Sequence, residues 1–232
     1  MQLIPVTDKA TAQLFIQVAP VIYANDPQWA RPLDKDIDDV FDEKKNKAFR
    51  HGKIVRWILK DDNGNLIGRI AAFINKKYKN KGDDLPVGCI GFFECINNQE
   101  AADLLLDNAK HWLMQEGMEA MDGPVNFGER DRWWGMITQG YFTPLYCMNY
   151  NPPYYQQLFE AYGFKDYFQQ YSYSIGINDS RPERYKAIID RLRQNPDYSF
   201  RHIEKDKLKK YAEDFRSVYN RTWKFLPNFK EM

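Results

Sequence analysis

One stretch of the sequence constrains the fold more than any other. Residues 88–96, Gly-Cys-Ile-Gly-Phe-Phe-Glu-Cys-Ile, hold a single charged side chain, Glu94. A short apolar run of this kind is typical of a strand that is buried on both faces. Such a strand lies inside a sheet that carries other layers on each side. The run therefore predicts a layered α/β fold in which Glu94 is a carboxylate placed in the interior.

The residues before this strand predict further strands and one helix. Residues 2–7 alternate weakly as a strand, and Asp8 is a suitable N-cap for the helical spacing that follows. Two β-rich runs, 54–59 and 66–74, flank an Asn-Gly turn. This turn is the strongest short-range signal for a β-hairpin.

The residues after the buried strand continue the alternation of helices and strands. Helical spacing of apolar residues extends over 102–113 and 153–162, and each stretch ends at a glycine, Gly117 and Gly163. Strands are expected over 118–125 and 167–177. The order β-α-β-β-β-α-β-loop-α-β predicts an α/β fold with a mixed sheet and helices on its faces.

The long loop, residues 126–151, contains seven aromatic residues and no regular period. A loop of this length inside a compact domain is typically functional. We expect a substrate pocket here, although rings that simply cover the sheet are the alternative. Rings would form its walls and polar groups would orient the substrate, from the residues Asn126, Arg130, Trp133, Trp134, Tyr146 and Asn151.

Composition excludes several classes of protein. The 33 basic and 32 acidic residues give a net charge of +1, so nucleic acid is not an expected partner. No apolar run approaches the roughly 18 residues that span a bilayer, although peripheral membrane contact stays open. Three cysteines without paired spacing fit reduced thiols, and the start of the chain has no secretory pattern, so we expect a cytoplasmic protein. The three histidines are widely spaced, and no metal site is expected.

A pattern near the end of the chain resembles the beginning. Residues 198–203, Asp206-Lys207 and an amphipathic stretch repeat the order of the opening strand, Asp8-Lys9 and helix. Coincidence is the alternative, because a strand followed by a capped helix is common. We predict a domain over 1–178, a linker helix region over 179–197, and the start of a second similar domain over 198–232.

Three stretches resemble a known family. They are Gly91-Phe92-Phe93-Glu94, Gly123-Pro124-Val125-Asn126, and Tyr150-Asn151-Pro152-Pro153-Tyr154-Tyr155, which leads into Gly163-Phe164. Together with the order of elements over 1–178, they resemble the GNAT N-acyltransferase superfamily, and more narrowly its bacterial ceramide-synthase-like branch. The resemblance implies the GNAT fold and transfer of an acyl group from acyl-CoA to an amine, with a long-chain or sphingoid amine as acceptor.

The resemblance also implies where the donor binds. The donor's pantetheine chain would pair with the buried strand, and its pyrophosphate would lie at the N-terminus of the next helix, where free N–H groups favour an anion. The co-substrate would be acetyl-CoA or a longer acyl-CoA, with no cofactor bound permanently. The implied donor residues are Phe93, Cys95, Ile96, Asn97, Asn98, Gln99, Glu100, Ala101 and Ala102.

The phosphate turn departs from the family pattern. The superfamily has Gln or Arg, then Gly, then Gly or Ala where this chain has Asn97, Glu100 and Ala102, and only Ala102 fits. The carboxylate of Glu100 would repel a pyrophosphate. A modified donor site and a degenerate one are therefore both open.

The resemblance implies two catalytic residues. Glu94 would be the general base, and Tyr155 would be the acid in place of the family's tyrosine, because Phe159 stands at that position. Tyr154 is a comparable candidate for the acid, and we also expect it in the substrate site. The alternatives are a carboxylate anchored to the backbone or to an arginine, and a tyrosine that only packs in the core.

The competing function is a catalytically degenerate protein of the same fold. It would bind acyl-CoA or lipid, or serve as a structural half of a two-domain protein. Aminoacyl transfer from tRNA is a third reading, which the net charge disfavours. A homodimer stays open.

Overall fold

The computed structural model describes residues 1–78, 84–180, 182–226 and 231–232. The chain divides into two compact units, Met1–Phe168 and Gln169–Met232. Each unit is described by itself below, and all the residues of the candidate site belong to the first.

The first unit is built on a five-stranded mixed sheet with the strand order β1-β2-β3-β4-β5. The first four strands form an antiparallel meander, and β5 pairs in parallel with β4. The predicted mixed α/β architecture is therefore confirmed. The strands are β1 Gln2–Pro5, β2 Gly52–Lys60, β3 Leu66–Asn75, β4 Val87–Cys95 and β5 Ala120–Asp122.

The described part of the first unit contains four α-helices, and the first and the last of them show clear end signals. Asp8 caps the first helix by accepting from the Thr11 N–H at 2.7 Å, which is half of a capping box. Gly163 ends the last one in a left-handed conformation, with φ of 111°. The helices are α1 Lys9–Ile22, α2 Asp34–Phe41, α3 Gln99–Gln115 and α4 Tyr155–Tyr162, with a 3-10 turn at Lys47–Arg50.

Helices cover both faces of this sheet. On one face, α3 and α4 contribute Leu105 and Phe159 to an apolar cluster that includes Ile70 of β3. On the other face, Val40 of α2 and Phe127 of the long loop pack with Phe73 of β3. Side chains three residues apart on β3 point to opposite faces, which separates the two clusters. The prediction of a central strand buried on both faces is confirmed for β4.

A bulge bends β4 just before Glu94. Ala71 is opposite Gly91 and Arg69 is opposite Glu94, so one more residue lies between the pairs on β4 than on β3. Phe92, inside the bulge, has a φ of 50°. Bulges of this type re-aim side chains and end regular pairing. The side of β4 that faces β5 accordingly pairs with it only over residues 87–89.

Three sequence predictions of strands need correction. The strand expected over 118–125 is limited to Ala120–Asp122, because Gly123 and Pro124 follow and proline has no N–H for a ladder. Residues 167–177 and 198–203 form no strand. Their alternating pattern suits a sheet edge, but no strand in the described part of the chain pairs with them.

In its described residues, the second unit contains two α-helices, α5 Glu183–Gln194 and α6 Leu208–Trp223, with a 3-10 turn at Lys205–Lys207. Both are amphipathic, yet neither contains a buried residue. Phe215 and Val218 of α6, for example, are exposed by 61% and 66%. The two apolar faces are therefore open to solvent in this structure.

Gly91→Ala tests the close approach beside the bulge. A Cβ at Gly91 would lie 2.0 Å from the backbone carbonyl oxygen of Val125, which cannot move without shifting the loop. We expect a loss of about 1–3 kcal/mol in the free energy of unfolding, measured by urea denaturation. Gly88→Ala is the matched control, because its Cβ would meet only the side chain of Leu113. Equal losses in the two variants would contradict this account.

Candidate active site

Glu94 is a buried carboxylate held by groups from three elements. Its Oε1 lies 3.3 Å from Nη2 of Arg69, the residue directly opposite it on β3. Its Oε2 accepts a hydrogen bond of 2.8 Å from the Tyr155 hydroxyl, at the start of α4. The Tyr23 hydroxyl, just after α1, also interacts with the carboxylate. The side chain is thus fixed by the sheet and by both helical layers.

Arg69 is itself buried, with 3% exposure. Its Nη1 donates to the carbonyl oxygen of Phe15 at 2.9 Å, while its Nε has no hydrogen-bond partner in the described structure. The guanidinium centre lies 4.9 Å and 5.9 Å from the ring centroids of Phe15 and Phe92. An arginine between two rings is a favourable cation-π arrangement. The sequence left open whether the Glu94 carboxylate is anchored to an arginine. The structure shows that it is, because Arg69 pairs with it.

Burial raises the pKa of Glu94 above its ordinary value. The positive charge of Arg69 and the hydrogen bonds from Tyr155 and Tyr23 act in the opposite direction. A carboxyl group with a raised pKa is a better proton acceptor at neutral pH than an exposed one. Glu94 therefore combines a fixed position with the acid-base property that a general base needs.

A cavity opens beside Glu94 on the face of the sheet that carries α1. Most of its wall is apolar, and it is lined by six aromatic residues: Trp29, Phe92, Phe93, Trp133, Tyr150 and Tyr155. Glu94 and Arg69 form its buried end, and a second charged pair, Arg31 and Asp34, lies at its more exposed end. An apolar pocket with a few fixed polar groups is the usual form of a small-molecule site.

The long loop is attached to the opposite wall of this cavity by side-chain hydrogen bonds. The Tyr150 hydroxyl donates to Asp26 at 2.8 Å, and Thr143 donates to Gln28 at 2.8 Å. The Tyr146 hydroxyl bonds to Asp36 of α2. These contacts connect the loop to residues 26–36, so the two segments form the entrance together.

The predicted substrate residues fall into two groups. Trp133 and Asn151 line the cavity, although the Asn151 amide also holds the loop, by bonding to the backbone N–H and C=O of Ile137. The other five, Asn126, Arg130, Trp134, Tyr146 and Tyr154, do not line it. Asn126 is buried against Glu129, the Arg130 guanidinium stacks on Trp134 with 4.7 Å to the ring centroid, and Tyr146 is 70% exposed.

The predicted donor segment joins β4 to α3. Asn98 caps α3 by accepting from the Ala101 N–H at 2.9 Å, so one of the free amides is already satisfied. Glu100 lies in the exposed first turn, while Ala101 and Ala102 are buried against the sheet. Gln99 donates to the carbonyl oxygen of Leu158 at 3.2 Å. Of the remaining predicted donor residues, Phe93 and Cys95 lie at the end of β4, and Ile96 and Asn97 lie in the short connection to α3.

The backbone of Cys95 is occupied by two tyrosines of the α4 start. Its N–H donates to the Tyr155 hydroxyl at 2.8 Å, and its C=O accepts from the Tyr154 hydroxyl at 2.8 Å. Burial raises the pKa of the Tyr155 hydroxyl well above its ordinary value. The Tyr155 hydroxyl thus connects the Glu94 carboxylate to the edge of β4. The residue therefore does more than pack in the core. Phe159, at the family's acid position, is buried and contacts Phe93 edge-on.

Sequence reasoning missed Arg69, Tyr23 and the Arg31–Asp34 pair. Arg69 could have been found, because antiparallel pairing of the predicted hairpin with β4 places one residue opposite Glu94. The other three residues come from segments distant in sequence, and no local pattern marks them.

The sequence matches no protein-family model, and no curated protein is similar to it. Among solved structures, the chain is similar to AAC(6')-Iy in complex with the bisubstrate analogue CoA-S-monomethyl-acetylneamine, with 15% identity, a TM-score of 0.46, and coverage of 75% of this chain and 97% of that one. It is also similar to the aminoglycoside antibiotic 6'-N-acetyltransferase AAC(6')-IG from Acinetobacter haemolyticus, with 13% identity, a TM-score of 0.45, and coverage of 77% and 100%. A putative acetyl transferase from Pyrococcus furiosus has 12% identity, a TM-score of 0.43, and coverage of 75% and 100%. At these values the function must be argued from the residues of the site.

Two features are absent from the residues that the structure describes. No helix there is both long and apolar enough to cross a bilayer. No group of three or more His, Cys, Asp or Glu residues in the same part of the chain is arranged to hold a metal ion.

Arg69→Met tests the buried ion pair. Removing one partner leaves the Glu94 carboxylate unpaired, so we expect the free energy of unfolding to fall by about 3–5 kcal/mol at pH 7. The added Glu94→Gln change should recover much of this loss. Since loss of the arginine raises the pKa of Glu94 further, the carboxyl is protonated at a higher pH in the variant. The deficit should therefore shrink from pH 7 to pH 5 in denaturation experiments. A deficit that is constant with pH would contradict the pairing.

Proposed function

We propose that this protein is an acyl-CoA-dependent N-acyltransferase of the GNAT type, which moves an acyl group to an amine. The observation that carries the proposal is the buried carboxylate of Glu94, which faces an aromatic cavity beside a strand edge left free by β5. The sequence resemblance to the GNAT superfamily supports the same chemistry. The arrangement brings a base, an apolar acceptor pocket and a backbone edge for the donor into one place.

Glu94 acts as the general base in this proposal. An amine enters as an ammonium ion, and the carboxylate removes one proton so that the nitrogen lone pair becomes available. The nitrogen attacks the thioester carbonyl carbon, the carbon–sulfur bond breaks, and the thiolate leaves. The second proton on nitrogen is released as the amide forms. Arg69 and the tyrosines keep the carboxylate in position throughout.

Tyr155 transfers a proton to the leaving group. Its hydroxyl already donates to Glu94 and is therefore in line to receive the proton that Glu94 has taken up. As the hydroxyl proton moves to the thiolate, the protonated Glu94 returns a proton to the tyrosine oxygen. The two residues end in their starting states, and no other acid is required.

The donor, acetyl-CoA or a longer acyl-CoA, is proposed to bind at the end of β4 and the beginning of α3. Phe93 lies on the part of the strand beyond the pairing with β5, where an amide of the donor can add as a strand. The first turn of α3 suits an anion, but the carboxylate of Glu100 opposes it. We therefore propose a modified phosphate contact and no permanently bound cofactor.

The acceptor is proposed to be an amphipathic amine. The carboxylate at the buried end of the cavity suits an ammonium group, and the rings of Trp29, Phe92 and Trp133 suit an apolar body. The long-chain or sphingoid amine implied by the resemblance has this character. The Arg31–Asp34 pair at the entrance offers contacts to polar groups of the same molecule.

A protein of the same fold that binds acyl-CoA or lipid without turnover is the second candidate. The occupied backbone of Cys95 and the acidic first turn of α3 favour it. The remaining expectations, a cytoplasmic location, an optional homodimer and a second domain beginning in 198–232, stay predictions.

Binding of a donor separates these candidates from an unrelated function. Isothermal titration calorimetry with acetyl-CoA and with palmitoyl-CoA should show binding of at least one. The transfer assay then follows release of free thiol with a long-chain primary amine as acceptor. Turnover supports the enzyme, and binding without turnover for a panel of amines supports the binding protein. The absence of any binding would remove both.

Glu94→Gln separates the base from a structural carboxylate. We expect kcat to fall by roughly 10²–10⁴-fold while the Kd of the donor stays within about twofold. The wild-type rate should rise with pH through the raised pKa of Glu94, because only the carboxylate accepts a proton, and the variant should lose this limb. Glu119→Gln, a change at an exposed carboxylate, is the control. A parallel loss of kcat and donor affinity would mark Glu94 as structural.

A further inference from the structure

We infer that Tyr154 and Tyr155 limit how much of a donor can pair with β4, and so act as specificity-determining residues at the donor end of the site. The inference rests on the proposed function and deepens it. It starts from two hydrogen bonds, those that join both tyrosine hydroxyls to the backbone of Cys95.

The free edge of β4 is short. On the side that faces β5, residues 87–89 pair with the strand, and the Ile90 carbonyl oxygen accepts from the Val125 N–H at 2.8 Å. Beyond the bulge, the Ile96 N–H points to β3, where it donates to Ile67. Since backbone groups alternate in direction along a strand, those of Phe93 and Cys95 point away from β3. Beyond the bulge, the edge therefore offers a ligand two positions, those at Phe93 and Cys95.

The second of these two positions is filled from within the chain. Tyr155 supplies an acceptor for the Cys95 N–H and Tyr154 supplies a donor for its C=O, each at 2.8 Å. An N–H and a C=O of an added strand would make the same pair of bonds. The two hydroxyls thus take the place of one amide of an extended ligand, and only the position at Phe93 is left.

This arrangement sets a length limit on strand-like pairing. The arm of acetyl-CoA contains two amides in sequence, so an arm that pairs at Phe93 brings its next amide to the tyrosines. The arm must then displace both hydroxyls or leave the strand. A thioester with a single amide meets no such competition. Removal of the hydroxyls leaves the Cys95 groups without partners, and a ligand amide that satisfies them gains affinity.

The double variant Tyr154→Phe/Tyr155→Phe tests this competition by calorimetry. The probes are acetyl-CoA and S-acetyl-N-acetylcysteamine, which has one amide. We expect the variant to bind acetyl-CoA roughly tenfold more tightly than the wild type does, and the short thioester with unchanged affinity. Tyr162→Phe is the matched control, since this α4 tyrosine donates to Asp107 at 2.7 Å, away from the strand edge, and it should change neither Kd.

Unchanged or weaker binding of acetyl-CoA by a folded double variant would overturn the inference. Equal tightening for both probes would also overturn it, because the effect would then not depend on the second amide. The readout is binding, so a loss of turnover caused by removal of the Tyr155 contact to Glu94 does not obscure the result. Turnover by the wild type separates this inference from the proposed N-acyltransferase function. If the wild type turns over and the double variant binds acetyl-CoA no more tightly, only the length limit is wrong. If neither protein binds or converts any thioester, both proposals fall.

Circular dichroism and thermal unfolding establish whether the double variant folds. If it does not, Tyr154→Phe alone, at a half-buried position, decides the question. It removes one of the two competing bonds, so we expect about a threefold gain for acetyl-CoA and none for the short thioester. Absence of that gain would overturn the inference as well.

Discussion

The buried pair of Arg69 and Glu94 is the interaction on which the first unit and its site depend. It lies between neighbouring strands, and its two charges must be compensated locally because both side chains are largely buried. The guanidinium bonds to the middle of α1 through the Phe15 carbonyl oxygen, and the carboxylate bonds to α4 through Tyr155. One ion pair thereby connects the sheet to the helices on both of its faces. A buried ion pair of this kind fixes the positions of the elements that it joins more than it adds to the free energy of unfolding.

The bulge at Phe92 gives this pair its functional surroundings. Without the additional residue, regular alternation would continue along β4 and Glu94 would point to the opposite face of the sheet. With it, the carboxylate lies under the aromatic cavity, and the strand edge diverges from β5 at the same place. The close approach of Val125 to Gly91 explains why glycine precedes the bulge. The bulge at Phe92 therefore has two consequences: it sets the position of Glu94, and it leaves the edge of β4 open.

The long aromatic loop is ordered by polar contacts at its rings' edges. Tyr150 and Tyr146 use their hydroxyls on acidic side chains of residues 26–36, while Trp133 faces the cavity. Aromatic residues with a polar end are suited to such a wall, because one end can be wet and the other apolar. The pocket was expected from the density of rings. The tertiary contacts alone show which of these rings line the pocket. Trp134 does not line it and packs with Arg130 instead.

The sequence by itself determined those helices and strands that are specified by neighbouring residues along the chain. Periodicity, caps and the Asn-Gly turn were sufficient for β1 to β4 and for α1, α3 and α4, and the lone charge in an apolar strand was sufficient to single out Glu94. Residues 167–177 show the limit, since an alternating pattern indicates a strand but cannot supply the partner that a strand needs. Arg69, Tyr23 and the hold of the tyrosines on Cys95 were decided by the tertiary structure alone. Each of them joins residues that are 25 or more positions apart, and such contacts depend on strand register and helix placement rather than on any local pattern.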